Sequence, residues 1–222
     1  MNDMKTSDKG LLEIAEHEGV VPAPYLDSVG IATYGIGHTV SAGFPNPSTM
    51  PRGMPVGKAA MDKAILNAVE VFKRDVTIYE KRVNKAIKVP ISQHEFDALV
   101  SFDFNTGGIF KAKLTRQINE GVPEASKHFF GWLRPPELRK RRTAEKNLYD
   151  SGDYDANGTA IPIWKVDVSM RLRGQYGTMD GLELLEMMGR GESTPTKKPV
   201  QTATTSKKSL LDLLLEFLGV RK

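Results

Sequence analysis

The stretch HEGVVPAPYLDSVGIATYGIGHT, residues 17–39, sets an acid directly before a glycine, a second acid at a turn and a threonine inside a glycine-rich run. The residues before it predict a helix of about two turns, capped by Asp8, with Leu11, Leu12, Ile14 and Ala15 as its apolar stripe. Gly19 ends this helix immediately after Glu18. From Tyr25 to His38, glycines 30, 35 and 37 alternate with β-favouring Val29, Ile31, Thr33, Tyr34 and Ile36, which predicts a small twisted hairpin.

The two acids meet different surroundings. At the end of a helix the unpaired carbonyls, with apolar Val20 and Val21 nearby, favour a carboxyl at Glu18 that keeps its proton. Asp27 sits at a polar turn, where N–H groups of Ser28-Val29-Gly30 favour the ionised form. Two carboxyls driven in opposite directions across one cleft suit cleavage of a glycosidic bond, one protonating the leaving oxygen and the other facing the cationic carbon. Thr33 adds a hydroxyl that, together with Asp27, can hold a water molecule as nucleophile. Direct attack by that water requires the carboxyls to stand roughly 6.5–9.5 Å apart.

Outward from this stretch, SAGFPNPSTMPRGMPVG holds four prolines and predicts a loop. Lys58 to Ile87 predicts a long helix, with Met61, Ile65, Ala68, Val69, Phe72 and Val76 on its apolar face. Ser92-Gln93-His94-Glu95 is a capping box that opens a helix carrying Phe96, Leu99, Val100, Phe102 and Phe104 to a stop at Asn105-Thr106-Gly107-Gly108. Pro136 begins a further helix with Leu138, Arg141, Arg142, Glu145 and Leu148, which stops at Gly152, and a last apolar segment spans 181–188. Mostly helix with one small sheet near the N-terminus is an α+β arrangement.

Composition narrows the function. The chain has 222 residues, no cysteine and a net charge of +4. Disulfides, thiolate chemistry and cysteine metal sites are therefore excluded. The charge excess is local: residues 189–222 hold seven Lys and Arg against three Asp and Glu, leaving residues 1–188 balanced at 24 of each. A nucleic-acid partner is not expected from such a body. The four histidines, at 17, 38, 94 and 128, have no metal-ligand spacing, so neither a metal nor a cofactor is expected, and His38 reads as structural. Glu13 and Glu16 read as surface charges. The N-terminus lacks the apolar core of a secretory signal, so the expectation is synthesis in a cytoplasm without a signal peptide.

Residues 18–39 resemble the active-site segment of the bacteriophage-type lysozymes, the endolysins of glycoside hydrolase family twenty-four. Their pattern of Glu, eight residues, Asp, five residues, Thr, then Gly-x-Gly-His falls here on Glu18, Asp27, Thr33, Gly35, Gly37 and His38. The segments ISQHEFDALVSFDFNTGG at 91–108 and LRKRRTAEKNLYDSG at 138–152 are similar to the same family. Tyr34-Gly35-Ile36-Gly37 departs from the usual Ile-Gly-Tyr-Gly, which touches subsite shape and not the acid. The resemblance implies a mostly helical lysozyme-like fold with a small N-terminal sheet lining the cleft. It also implies a muramidase that cleaves the β-1,4 bond between N-acetylmuramic acid and N-acetylglucosamine in peptidoglycan. Glu18 would be the general acid, with Asp27 and Thr33 positioning water for inversion; a lytic transglycosylase would not need that pair. Arg141 or Arg142 pairs with Glu18 in the manner of some relatives, and Asn105 and Arg141 are candidate substrate contacts. The alternative is a phage-particle component that uses the fold for wall binding or assembly without turnover.

The organisation expected is a catalytic domain over residues 1–188, a flexible basic linker over 189–208 and a short apolar helix over 209–222. That helix, SLLDLLLEFLGVRK, offers Leu210, Leu211, Leu213, Leu214, Leu215, Phe217 and Leu218 to a protein partner, to a second copy or to a membrane surface. Action on the wall follows release by a membrane hole-former, or delivery in an infecting particle.

Overall fold

The computed structural model describes residues 3–156 and 158–190. The linker and the apolar helix expected over 189–208 and 209–222 lie outside the described residues from 191 onward.

Helix α1 (Asp8–Glu18) runs for three turns, and its cap is Ser7, whose hydroxyl accepts from the Gly10 N–H at 3.0 Å. Ser7 prevails over Asp8 because buried Asp97 fixes it, taking its backbone N–H and its hydroxyl together. At the other end Gly19 adopts φ 68° and donates to the Ala15 carbonyl at 2.8 Å. A Cβ there would stand 2.3 Å from the Trp164 ring nitrogen, so this position requires glycine on both counts.

Strands β1 (Val21–Leu26), β2 (Ala32–Gly35) and β3 (His38–Thr39) form an antiparallel sheet in that order. The strand pairing begins at Val21, earlier than the glycine pattern suggests, and lapses between Val21 and Tyr25. Pro22 and Pro24 occupy that gap and have no N–H to contribute to the ladder.

Helix α2 (Lys58–Ala86) is the spine, and Met61, Ile65, Ala68, Val69, Phe72 and Val76 are all buried on the face that the spacing assigns. Helix α3 (Gln93–Thr106) opens on the Ser92–Glu95 capping box and closes on left-handed Gly107. Every residue from Phe96 to Phe104 is buried, which makes α3 the central helix of the core. Helix α4 (Lys113–Asn119) packs on a 3-10 segment over Ala125–Gly131, which packs in turn on α5 (Arg139–Ser151), and α5 runs along α3 to end at left-handed Gly152.

One sheet was expected, and the described residues form two. Strands β4 (Ile161–Val166) and β5 (Leu172–Met179) form a second antiparallel hairpin, followed by helix α6 (Gly181–Met187). Sequence reading missed it because β5 contains Gly174 and Gly177 and stays exposed through Tyr176, so it lacks the alternation of a half-buried strand. This hairpin lies beside β1: the Val20 N–H donates to the Pro162 carbonyl and the Trp164 N–H to the Val20 carbonyl, both at 2.8 Å. No described helix is long and apolar enough to cross a membrane.

Candidate active site

The sequence stretch 17–39 folds so that Glu18, Asp27 and Thr33 line one cleft of about 900 Å³. Helix α1 delivers Glu18, the turn between β1 and β2 delivers Asp27, and β2 delivers Thr33. Asn105, Tyr25, Tyr79, Phe104 and Arg141 complete much of the wall.

Each side chain is held by one atom and open at another. The Oδ1 atom of Asp27 accepts from the N–H groups of Val29 at 3.0 Å and Ile31 at 2.8 Å. The turn thus supplies backbone donors as expected, with Ile31 in place of Ser28 and Gly30. Among the described residues no hydrogen bond reaches Oδ2. Thr33 is buried and donates its hydroxyl hydrogen to the Ile31 carbonyl at 3.1 Å, which leaves the lone pairs of its Oγ1 as acceptors. Burial, with the charges of Glu18 and Asp27 adding to it, raises the Tyr25 phenol, so this cleft residue remains a neutral donor.

Arg141 donates from Nη1 to Oε1 of Glu18 at 2.5 Å. The other carboxylate oxygen, Oε2, lies over Gly37, where a Cβ would come within 3.0 Å of it and 2.9 Å of Phe104. Arg141 and Arg142, adjacent on α5, are both buried and share Glu145: Arg141 Nε donates to Oε1 at 3.2 Å, and Arg142 Nη1 lies 3.0 Å from Oε2 without hydrogen-bond alignment. Ser101 also donates to Glu145 at 3.1 Å. Arg142 then holds Oδ1 of Asn105 at 2.6 Å and stands over the Phe102 ring at 5.3 Å. Two carboxylates and two guanidiniums alternate through the interior and neutralise one another. Burial pulls Arg142 down to about 10, against the attraction of Glu145, and it remains charged at neutral pH. Burial also works against Arg141, but Glu18 and Glu145 outweigh it and raise this group.

The expected pairing of an arginine with Glu18 therefore falls on Arg141. Arg142 faces Glu145, as Arg141 does, and also fixes Asn105. The helix-end argument for Glu18 leaves the Arg141 cation out, because nothing in the spacing says which face of α5 meets α1. Asn105 lies within α3 and not at its C-cap, which is Gly107. His38 is buried, with Nδ1 2.6 Å from Asp75 Oδ2 and Nε2 2.7 Å from the Pro45 carbonyl, so it is structural.

Glu13 is a correction: it is fully buried, not a surface charge. The chain after α5 folds over α1, and the Ala156 N–H donates to Oε2 of Glu13 at 3.0 Å. Burial pushes this carboxyl above the usual range, opposed by His17 and the Ala156 N–H and assisted by Asp155. Glu13, His17 and Asp155 bring potential ligand atoms within 4.8 Å of one another, although Oε2 of Glu13 already has its backbone partner. No signal in residues 1–152 could have placed that cover, because it comes from the segment beyond them.

Residues 15–145 match the model of the phage lysozyme family, a span that contains all three cleft residues and Arg141. The chain belongs to the phage lysozyme family. It is a lysozyme-type hydrolase, and its substrate is bacterial peptidoglycan. The endolysin of Salmonella phage P22 is 30% identical over 153 residues, which cover 66% of this lysozyme and 98% of that relative. Among solved structures, the endolysin from Escherichia coli O157:H7 phage FAHEc1 is 30% identical at a TM-score of 0.55, covering 69% of this chain and 98% of that one. The muramidase domain of SpmX from Asticaccaulis excentricus is 27% identical at a TM-score of 0.50, covering 66% and 98% of the two chains.

Proposed function

We propose that this lysozyme cleaves the β-1,4 bond between N-acetylmuramic acid and N-acetylglucosamine by inversion, with Glu18 as general acid and Asp27 and Thr33 holding the attacking water. The observation that carries the reading is the way each group is tied. Arg141 is a donor only, so Oε1 of Glu18 must accept from it, which leaves Oε2 as the oxygen from which a proton can be transferred. That proton passes to the glycosidic oxygen as its bond to the anomeric carbon breaks. A water that donates to Asp27 Oδ2 and to Thr33 Oγ1 turns a lone pair toward the anomeric carbon. The new carbon–oxygen bond forms from that lone pair, and the water's proton leaves to Asp27. No cofactor takes part in this scheme. Asn105, oriented by Arg142, and Arg141 line the cleft as substrate contacts.

Proton NMR of the first product formed from soluble peptidoglycan fragments tests the scheme. An inverted anomer is expected, and a retained anomer replaces the water with a covalent intermediate at Asp27.

Host-cell lysis, after a membrane hole-former releases the enzyme from the cytoplasm, is the setting we propose. The division into a catalytic body over 1–188, a linker over 189–208 and a docking helix over 209–222 belongs to the same proposal and rests on sequence pattern. Deleting residues 205–222 should leave turnover of soluble fragments unchanged while altering self-association, partner capture or membrane retention. Joint loss of thermal stability and turnover assigns that helix to the catalytic body.

A further inference from the structure

The β4–β5 hairpin lies outside the residues 15–145 matched by the family model, and it reproduces the turn that carries Asp27. Asp167 stands 140 residues after Asp27, and Pro162 stands 140 after Pro22. The Oδ1 atom of Asp167 accepts from the N–H groups two and four residues on, Ser169 at 2.8 Å and Arg171 at 3.0 Å, as Asp27 does from Val29 and Ile31. In each turn the aspartate N–H donates to the carbonyl four residues on at 3.0 Å, Arg171 in one and Ile31 in the other. The third residue after the aspartate is left-handed in both, Gly30 with φ 82° and Met170 with φ 63°. The two turns also touch, since the Leu26 N–H donates to the Met170 carbonyl at 2.8 Å.

The copy has lost the chemistry and gained charge. Arg173 occupies the position of Thr33 and closes on Asp167 Oδ2 at 2.7 Å from Nε, so the pocket for a water is filled by an ion pair. Gly158 occupies the position of Glu18, so there is no acid. Strand β5 is exposed from Leu172 through Tyr176, and Lys165 lies over the Tyr176 ring at 6.0 Å. Lys165 and Arg171 are exposed and form no ion pair with an acid among the described residues. The cleft next door is the opposite: five acids line it against the two cations Lys140 and Arg141. Peptidoglycan carries carboxylates on its stem peptides, which that cleft repels, so favourable charge contacts must come from outside it.

We propose that the β4–β5 hairpin is a second wall-contact element, whose exposed Lys165, Arg171 and Tyr176 bind the carboxylate-bearing stem peptides of the glycan strand held in the cleft. The proposal rests on peptidoglycan as the substrate and is independent of the catalytic assignments. It adds binding to polymer and not to the reacting bond, so it acts on intact wall and is silent on short fragments.

The test compares full-length Lys165→Glu/Arg171→Glu and Tyr176→Ala with the parent chain. In a Glu18→Gln background, which prevents digestion, retention on purified sacculi should fall about tenfold for each variant. With Glu18 intact, both variants should hydrolyse short glycan fragments lacking stem peptides at the parental rate. Amidating the sacculus carboxylates should bring the parent down to the level of the neutralised Lys165→Gln/Arg171→Gln variant. Unchanged retention overturns the proposal. So does an equal loss on peptide-free glycan, which makes the surface a sugar site, or a loss confined to anionic phospholipid vesicles, which makes it a membrane site. Lys165→Gln/Arg171→Gln, with neutral exposed side chains, serves as the folded comparison and should give an intermediate loss. Failure of the parent itself to release reducing ends from peptidoglycan would count against the hydrolase reading and not against the hairpin.

Discussion

Arg141 meets Glu18 across 123 residues of chain, its Nη1 on the Oε1 atom and its Nε on Glu145. The contact fixes which oxygen of Glu18 faces the cleft. Glu18→Gln keeps an acceptor for Arg141 at that atom and removes only the transferable proton. It should therefore fold and melt close to the parent while losing about 10²–10⁴-fold in turnover. Turbidity clearing and reducing-end release measure it, and retention of a tenth of the parental rate refutes the acid assignment.

Arg141→Ala takes the cation from two carboxylates at once and leaves buried Glu145 with the Arg142 charge and the Ser101 hydroxyl. Breaking a buried pair from one side costs about 3–5 kcal/mol. Urea unfolding should show a loss in that range. Arg141→Lys restores a charge but cannot span Glu18 and Glu145 together, so it should recover part of the stability and less of the activity. A loss under about 1 kcal/mol for the alanine variant means the interior relaxes to hydrate the site, and the alternating network is then not a structural element.

The His38–Asp75 pair makes stability depend on pH. Burial lowers the imidazolium, but the hydrogen bonds to Asp75 and the Pro45 carbonyl, with the charge of Asp75, outweigh it and raise His38 above its ordinary value. Both partners are acceptors only, so both ring nitrogens donate, which is the charged form. A raised histidine contributes stability that is whole below the unfolded value near 6.5 and is lost as pH rises through the folded value. The melting temperature of the parent should thus fall from pH 6 upward more steeply than that of His38→Gln. Parallel curves for the two proteins rule out the charged pair.

Gly37 combines a φ of 70° with a place directly beside the acid. Gly37→Ala adds a Cβ 2.9 Å from Phe104 and 3.0 Å from Glu18 Oε2, so either the loop or the carboxyl must shift. The left-handed backbone adds a cost on the order of 1–3 kcal/mol. Activity should drop further than stability explains, read as lost kcat at a temperature where the variant is fully folded. Full kcat in a destabilised variant means Glu18 has room to move aside unharmed.

The helices were legible because their signals are local. The α2 stripe, the Ser92–Glu95 capping box and the glycine stops at 19, 107 and 152 each lie within a few residues of what they control. That Glu18, Asp27 and Thr33 share one cleft was legible for the same reason, since they lie 15 residues apart at most on one small hairpin and the helix before it. Arg142 holding Asn105, and Ala156 burying Glu13, depend on which helix face meets which, and no period in the sequence encodes that choice. The second hairpin was hidden by its own exposure: with β5 facing solvent through Tyr176, the hydrophobic pattern that announces a strand is missing.

Asp27 and Thr33 give the sharpest test of the proposed chemistry, because both are assigned to a single water. Asp27→Asn keeps the acceptor that Val29 and Ile31 bind, so the turn survives, and it removes the base that takes the water's proton. Thr33→Ala frees the Ile31 carbonyl of one hydrogen bond, at about 1 kcal/mol of stability, and removes the second acceptor for the water. Each change alone should lower kcat about 100-fold with little effect on KM, since the water is engaged in the transition state more than in binding. Residues that act as one unit are not additive, so the double variant should be little worse than the poorer single one. Independent duties would multiply the two losses to about 10⁴-fold in the double variant, and that outcome takes Thr33 out of the water site and returns it to a strand position whose hydroxyl serves only the turn.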